Sequence, residues 1–375
     1  MLLDEKVLKK EEEAVFQLRS LYQKYGYCQY KMSKFEEYDL YVRNKDFLVS
    51  DSIITFNDTS GRLLALKPDV TLSIIKNSPD SPRFLQKVYY NESVYRISRG
   101  SQGYKEIMQA GLECIGDIDI YNMCEVILLA AKSLEAIGPD YVLDLSHMGL
   151  MSSLLEEYDV SDEIKPMIVN CIGEKNLHDI RSLCESHNLP EELYEKLSVF
   201  IQLYGNMDEV LEKLSEISTG EKTRKTLEEL KTLCSVLTAE EISSHINIDF
   251  SIVNDMNYYS GILFKGYIRG IPASVLSGGR YDKLMHKMGK NSGAIGFAVY
   301  LDLLERLEST EKKYDVDAVI LYDDKTDPAA MMKAIRMLTN NGTSVTAQKT
   351  VPVNLKYRQL LKFKDRGFEI LENHD

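Results

Sequence analysis

The chain has no apolar run long enough to cross a membrane. The longest, Val126 to Ala131, is far short of the ~20 residues a span needs. It has no apolar signal core either, since Met1-Leu2-Leu3 is followed at once by Asp4-Glu5-Lys6. The six cysteines (Cys28, Cys114, Cys124, Cys171, Cys184, Cys234) form no Cys-x-x-Cys pair and are too sparse for a disulfide framework. A reduced, cytosolic setting is expected. Nine prolines and 21 glycines in 375 residues exclude a low-complexity or collagen-like chain. Basic excess is also lacking: the net charge is −13. Residues 315–375 are balanced, so the whole acidic excess lies in 1–314. A nucleic-acid module usually carries a basic face, and composition gives RNA binding no support. The phosphate-binding Gly-x-x-x-x-Gly-Lys-Ser/Thr, Gly-x-Gly-x-x-Gly and His-Glu-x-x-His are absent. His178 and His187 read as surface residues, and no metal site or cofactor is expected.

What is present reads as two or three domains' worth of α and β segments. Ala14, Leu18, Leu21 and Tyr25 recur at helical spacing, and Gly26 ends the pattern. Ser52 to Phe56 and Arg62 to Leu66 read as a hairpin joined by Asn57-Asp-Thr-Ser-Gly61. A second strand pair, Lys87 to Arg96 and Ile107 to Cys114, flanks the polar loop Ser98 to Gly103. Cys124 to Ile137 is predicted helical and Tyr141 to Ser146 a strand. Residues 150–240, rich in Glu, Leu and Lys, read as a helical insertion with breaks at Gly173, Pro190 and Gly205. Strands return at Asn247 to Val253, Gly261 to Ile268 and Ala273 to Ser277. A helix from Tyr281 to Met288 and another from Gly296 to Leu307 follow. This order predicts an α+β fold, a mainly antiparallel sheet with flanking helices. From residue 313 the tail reads as a small α/β module: Ala318 to Tyr322 β, Pro328 to Leu338 α, Ser344 to Ala347 β, Tyr357 to Lys364 α, Phe368 to Leu371 β.

Five stretches concentrate polar groups inside strand-like segments. Leu66-Lys-Pro-Asp-Val-Thr71 uses a proline to present Asp69 and Thr71. Tyr95-Arg-Ile-Ser-Arg99 puts Arg96 on the face opposite Tyr95. In Gln109-Ala-Gly-Leu-Glu113, Gln109 and Glu113 share a face with only Gly111 between them, the gap a flat-lying small molecule needs. Asn257-Tyr-Tyr-Ser-Gly261 and Ser277-Gly-Gly-Arg-Tyr-Asp282 read as glycine-rich turns flanked by tyrosines. Each has a plainer reading: Asp69 as a helix cap, Arg96 and Glu113 as a cross-sheet ion pair, the tyrosines as core, the Ser277 stretch as a simple turn.

Those five stretches, in this order over about residues 10–310, resemble the catalytic core of the histidyl-tRNA synthetase family. Thr55 to Gly61 resembles its preceding hairpin. The resemblance implies a class II aminoacyl-tRNA synthetase fold, a dimer, and a histidine pocket of Asp69, Thr71, Gln109, Glu113, Tyr258 and Tyr259 with Tyr281 nearby. Its chemistry agrees: Asp69, Gln109 and Glu113 can accept from an ammonium and an imidazole N–H, and Arg96 can meet a carboxylate.

The sequence also departs from that family. The arginine that activates histidine is replaced by Asn254. The adenine-holding glutamate of motif 2 is replaced by Ser98, the motif 3 arginine by Leu303, and the motif 1 proline by Ser33. Arg99 and Lys105 do not stand at the matching positions. Losing one preorganised donor typically costs ~10²–10³ in rate, so two missing arginines leave little adenylation to expect. A histidine pocket without ATP-activating residues resembles the regulatory subunits of ATP phosphoribosyltransferase, as does Asp69 where synthetases carry glutamate. That resemblance implies a non-catalytic protein paired with a short catalytic subunit in the first step of histidine biosynthesis, transmitting feedback by L-histidine. It also implies a homodimer within a hetero-octamer, and no membrane or tRNA partner. Residues 313–375 resemble a shortened anticodon-binding domain. The rival readings are an active histidyl-tRNA synthetase and an orphan synthetase-like paralogue. Gly261, Gly278 and Gly279 are expected as hinges that let the Tyr258 loop close over ligand.

Overall fold

The computed structural model describes residues 8–48, 53–80, 85–97, 103–252, 259–307, 313–351, 353–364 and 367–374. They fall into two compact units, Met1–Leu307 and Glu308–Asp375. Among them no helix is long and apolar enough to cross a membrane, and all six cysteines are free.

The first unit opens with α1 (Lys10–Lys24), which buries Ala14, Leu18 and Tyr22 and carries Glu11 to Glu13 at its dipole-positive end. After β1 (Cys28–Gln29) come β2 (Phe35–Glu37), α2 (Tyr38–Arg43), β3 (Thr55–Asn57) and β4 (Leu63–Leu66). The last three strands form a small antiparallel sheet. Asp58 closes the β3–β4 turn by accepting from the N–H groups of Ser60 at 2.8 Å and Arg62 at 2.9 Å, with Gly61 at φ 83°. Then follow α3 (Thr71–Asn77), the long hairpin β5 (Gln86–Ile97) and β6 (Tyr104–Gly116), α4 (Ile120–Ile137) and β7 (Tyr141–His147). The insertion contributes α5 (Met148–Glu157), α6 (Lys165–Gly173), α7 (Leu177–Ser186), α8 (Glu191–Phe200), β8 (Tyr204–Asn206), α9 (Met207–Ile217) and α10 (Glu221–Ala239). The unit finishes with β9 (Ile246–Asp249), β10 (Ile262–Ile268), β11 (Leu276–Arg280), α11 (Asp282–Lys287), β12 (Gly293–Tyr300) and a 3₁₀ segment, Leu301–Leu307.

Nine strands form the main sheet in the order β1-β5-β6-β12-β11-β10-β7-β9-β8. Only the β1–β5 and β7–β9 pairings are parallel. Period two divides this sheet into two unlike faces. Register aligns Tyr89, Leu112, Phe297, Gly278, Phe264, Leu145 and Ile248 on one of them. There α1 and α4 pack, Tyr22 meeting Phe297 edge-on at 6.0 Å and Leu134 filling the space above Gly266. The next row, on the other face, is Tyr90, Gly111, Ala298, Ser277, Lys265, Asp144 and Asn247. That face is polar at its centre; at its β5 edge Val88 and Val94 join a second core with α3 and α11.

Three expectations for this unit are corrected. The predicted Gly296–Leu307 helix is helical only in its second part, the 3₁₀ segment Leu301–Leu307. Gly296–Tyr300 belongs to β12, whose run is buried between β6 and β11, where a central strand and an amphipathic helix look alike in sequence. Ser277-Gly-Gly-Arg is not a turn but the body of β11, placing that strand three residues later than predicted. Gly278 and Gly279 are paired on both sides within the sheet, so they are not hinges.

The second unit is a sheet in the order β14-β13-β15-β16, where β13 is Val316–Leu321, β14 Val345–Gln348, β15 Tyr357–Lys364 and β16 Gly367–Asn373. Helix α12 (Pro328–Asn340) is capped by Asp327. Tyr357–Lys364, predicted helical from its Lys, Arg, Gln and Leu, is a strand. Eight residues with tertiary partners on both sides override a weak propensity.

Candidate functional site

A cavity of about 700 Å³ opens on the polar face, within the range that holds small organic ligands. Every described residue of the predicted pocket lines it: Asp69, Thr71, Arg96, Gln109, Glu113, Tyr259 and Tyr281. Tyr258, Asn254, Ser98 and Arg99 lie outside the described residues.

The floor depends on small residues where three strands meet. A side chain at Gly296 would collide with the Glu113 carboxylate directly across the β6–β12 pair, and one at Gly279 would come within 2.6 Å of the Tyr259 ring. Glycine here serves close approach rather than flexibility. Glu113 therefore stands fully buried, accepting from the Thr71 hydroxyl at 2.8 Å and the Tyr281 hydroxyl at 2.5 Å. Burial pushes its carboxyl up to about 8; the two hydroxyl donors oppose that rise, and the nearby Asp69 adds to it.

Asp69 is positioned by the turn before α3. The Tyr95 N–H donates to the Lys67 carbonyl at 2.9 Å and Arg96 Nε to the Pro68 carbonyl at 2.8 Å. The fully buried Lys67 ammonium pairs with Glu92 on β5. Asp69 does accept from the Leu72 N–H at 2.8 Å, as a cap would, yet it also faces the cavity. Burial raises its carboxyl, with the Leu72 N–H and the Arg96 charge opposing. Arg96 and Glu113 are not a cross-sheet pair: Arg96 stands opposite Lys105, Glu113 opposite Val88.

Gln109 is only 3% exposed, and its amide makes no hydrogen bond with any described residue. A buried amide normally finds partners in the protein. One aimed into a cavity and left open marks a place for a ligand.

Reasoning from sequence missed Tyr90, Tyr300, Lys265 and Ser274 in the lining, and placed Ser277 in a polar turn without assigning it to the pocket. Reading Gly296 onward as a strand would have found Tyr300, since Gly296, Ala298 and Tyr300 alternate onto one face. Tyr300 stands opposite Gln109 within hydrogen-bonding reach of Arg96, the only arginine among the described lining residues. Of the positions weighed for ATP chemistry, the two described ones, Leu303 and Lys105, point elsewhere. Leu303 packs against the main apolar core, and the Lys105 ammonium is held by Asp302 at 2.6 Å.

The histidyl-tRNA synthetase family model matches residues 2–304. The ATP phosphoribosyltransferase regulatory subunit of Oceanobacillus iheyensis is 30% identical over 299 residues, covering 79% of this chain and 73% of that protein. That of Acetivibrio thermocellus is 29% identical over 317 residues, 82% of this chain and 76% of the relative. Among solved structures, an ATP phosphoribosyltransferase regulatory subunit/histidyl-tRNA synthetase from Bacillus halodurans superposes with TM-score 0.76 at 24% identity, covering 94% of this chain and 93% of that one. The ATP phosphoribosyl transferase (HisG:HisZ) complex of Thermotoga maritima gives TM-score 0.61 at 20% identity, covering 78% and 97%. These likenesses agree with the class II sheet. The chain belongs to the histidyl-tRNA synthetase family and, within it, to the ATP phosphoribosyltransferase regulatory subunits.

Proposed function

We propose that this protein is a non-catalytic subunit that binds L-histidine in the cavity and joins a short catalytic ATP phosphoribosyltransferase subunit. In that role it enables the first step of histidine biosynthesis and transmits feedback inhibition. The observation that carries this reading is an imbalance in the cavity wall. Acceptors suited to a histidine ammonium and imidazole N–H are present at Asp69, Gln109 and Glu113. The position that would meet ATP phosphate is Leu303, committed to the apolar core. A site that hydrogen-bonds a ligand's polar groups can reject analogues lacking them by ~10⁴–10⁵, enough to sense one amino acid. Its subunits pair as homodimers within a hetero-octamer, with effector coupling of about 1–3 kcal/mol.

The test is to mix the protein with a short catalytic subunit and follow phosphoribosyl-ATP formation with and without histidine. Activity is expected only on mixing, and falling with histidine. No gain on mixing removes the proposal. Histidine-dependent exchange of pyrophosphate into ATP by this chain alone would replace it with a synthetase.

A further inference from the structure

Among the described residues, Lys265 is the one cavity-lining cation that no part of the reading above employs. It stands on β10 directly opposite Ser277 on β11 and Asp144 on β7. Asp144 is the natural partner by position, but its carboxylate takes a hydrogen bond from Asn247 Nδ2 at 3.2 Å. Lys265 makes no ion pair and no hydrogen bond with any described residue; it lines the cavity with Ser274 and Ser277 instead. Other sheltered lysines are held: Lys67 by Glu92, Lys87 by Glu125 at 2.6 Å, Lys196 by Glu192 at 3.1 Å. Burial depresses the Lys265 ammonium, with the Asp249 charge opposing. An unpaired, partly desolvated cation is costly to keep unless something pairs with it.

Its place fixes the sign and location of that partner. Lys265 lies three strand spacings from β6, about 14 Å, so the lysine and glutamate stems enter the cavity from opposite sides. The acidic acceptors Asp69 and Glu113 hold one end; the other end offers an ammonium and the hydroxyls of Ser274 and Ser277, the second also hydrogen-bonded with Tyr259. Meanwhile Arg96, expected to meet a carboxylate, already donates to the Pro68 carbonyl and lies against Tyr300.

We infer that Lys265, with Ser274 and Ser277, forms an anion subsite at the β10–β11 end of the cavity, which takes an anionic oxygen group. That group is either the carboxylate of the amino acid held by Asp69 and Glu113 or a free phosphate-type anion. The first source rests on the histidine-binding reading; the second does not.

The experiment measures binding of histidine, histamine and pyrophosphate by calorimetry to the full chain and to Lys265→Met and Lys265→Arg. Histamine keeps the amine and imidazole but lacks the carboxylate. If the carboxylate is the occupant, Lys265→Met weakens histidine roughly 10- to 100-fold and leaves histamine unchanged, while Lys265→Arg restores most of the loss. If a free anion is the occupant, pyrophosphate binding is lost in Lys265→Met and the histidine-to-histamine ratio stays as in the parent. Should the parent bind pyrophosphate but not histidine, and Lys265→Met lose that binding, the subsite stands and the histidine reading falls. Unchanged binding of all three probes in Lys265→Met overturns the subsite, as does binding of none by the parent. Thermal unfolding separates a structural role: the methionine variant is expected to unfold no earlier than the parent, because it removes an unpaired charge.

Discussion

Phe264 and Lys265 are consecutive on β10 and belong to opposite faces of one sheet. Phe264 is fully buried between Phe297, Gly278 and Leu145, beneath α4. Lys265 looks into a cavity with nothing paired to it among the described residues. The same alternation separates Leu112 from Gly111 and Glu113, and Phe297 from Gly296 and Ala298. One set of strands thus keeps its stabilising contacts on one side and its unsatisfied polar groups on the other. A side chain on the apolar face should be worth stability and nothing to a ligand, and one on the polar face the reverse.

The largest effect expected comes from the apolar face. Phe264→Ala should cost about 3–5 kcal/mol by chemical denaturation, the usual penalty for emptying a packed aromatic site. Ligand affinity of the molecules still folded should be unchanged. A loss of affinity as large as the loss of stability would break the division between faces.

Glu113→Gln should do the opposite, weakening histidine by about 2 kcal/mol without lowering stability near neutral pH. Its pH signature follows from linkage. Burial raises the folded carboxyl from its ordinary value near 4.5 to about 8. Between those values the folded state holds a proton the unfolded state has released, so Glu113 makes stability fall as pH rises through this window. Glu113→Gln should flatten that fall in urea titrations run from pH 5 to 8. A cationic ligand favours the carboxylate, so histidine binding near pH 7 should release protons. Calorimetry in buffers of different ionisation enthalpy would read that release in the parent and its absence in the variant.

The smallest effect belongs to Tyr300, at the margin of the cavity. Tyr300→Phe should cost about 0.5–1.5 kcal/mol of stability by removing its contact with Arg96. A change in histidine affinity larger than the change in stability would place Tyr300 among the ligand's own contacts.

The local signals that survived into the structure are those whose chemistry is short-range. The Asn57 to Gly61 turn closes through Asp58 as its residues imply, and Ala14 and Leu18 face inward at helical spacing. Period two puts Gln109 and Glu113 on one strand face, and Pro68 presents Asp69, but only the motif resemblance joins these distant stretches into one pocket. Misreadings cluster where burial comes from both sides. Gly293–Tyr300 and Leu276–Arg280 sit in the middle of the sheet, where neither an alternating nor a helical pattern remains to be read. Lys265 was passed over because one charge inside Ile262-Leu-Phe-Lys-Gly-Tyr-Ile268 reads as the wet side of a strand.

The sequence by itself determined which groups exist to bind a small zwitterion, because residue type fixes what can donate, accept or carry charge. It also determined that the arginines of the related synthetases are missing. Only the tertiary structure decided which of those groups are left unspent. Whether a carboxylate, amide or ammonium is already paired depends on strand register and neighbouring backbone, and chain order encodes neither. Gln109 and Lys265 are open because the sheet brings no described partner to them, while Lys105 and Asp144 have theirs.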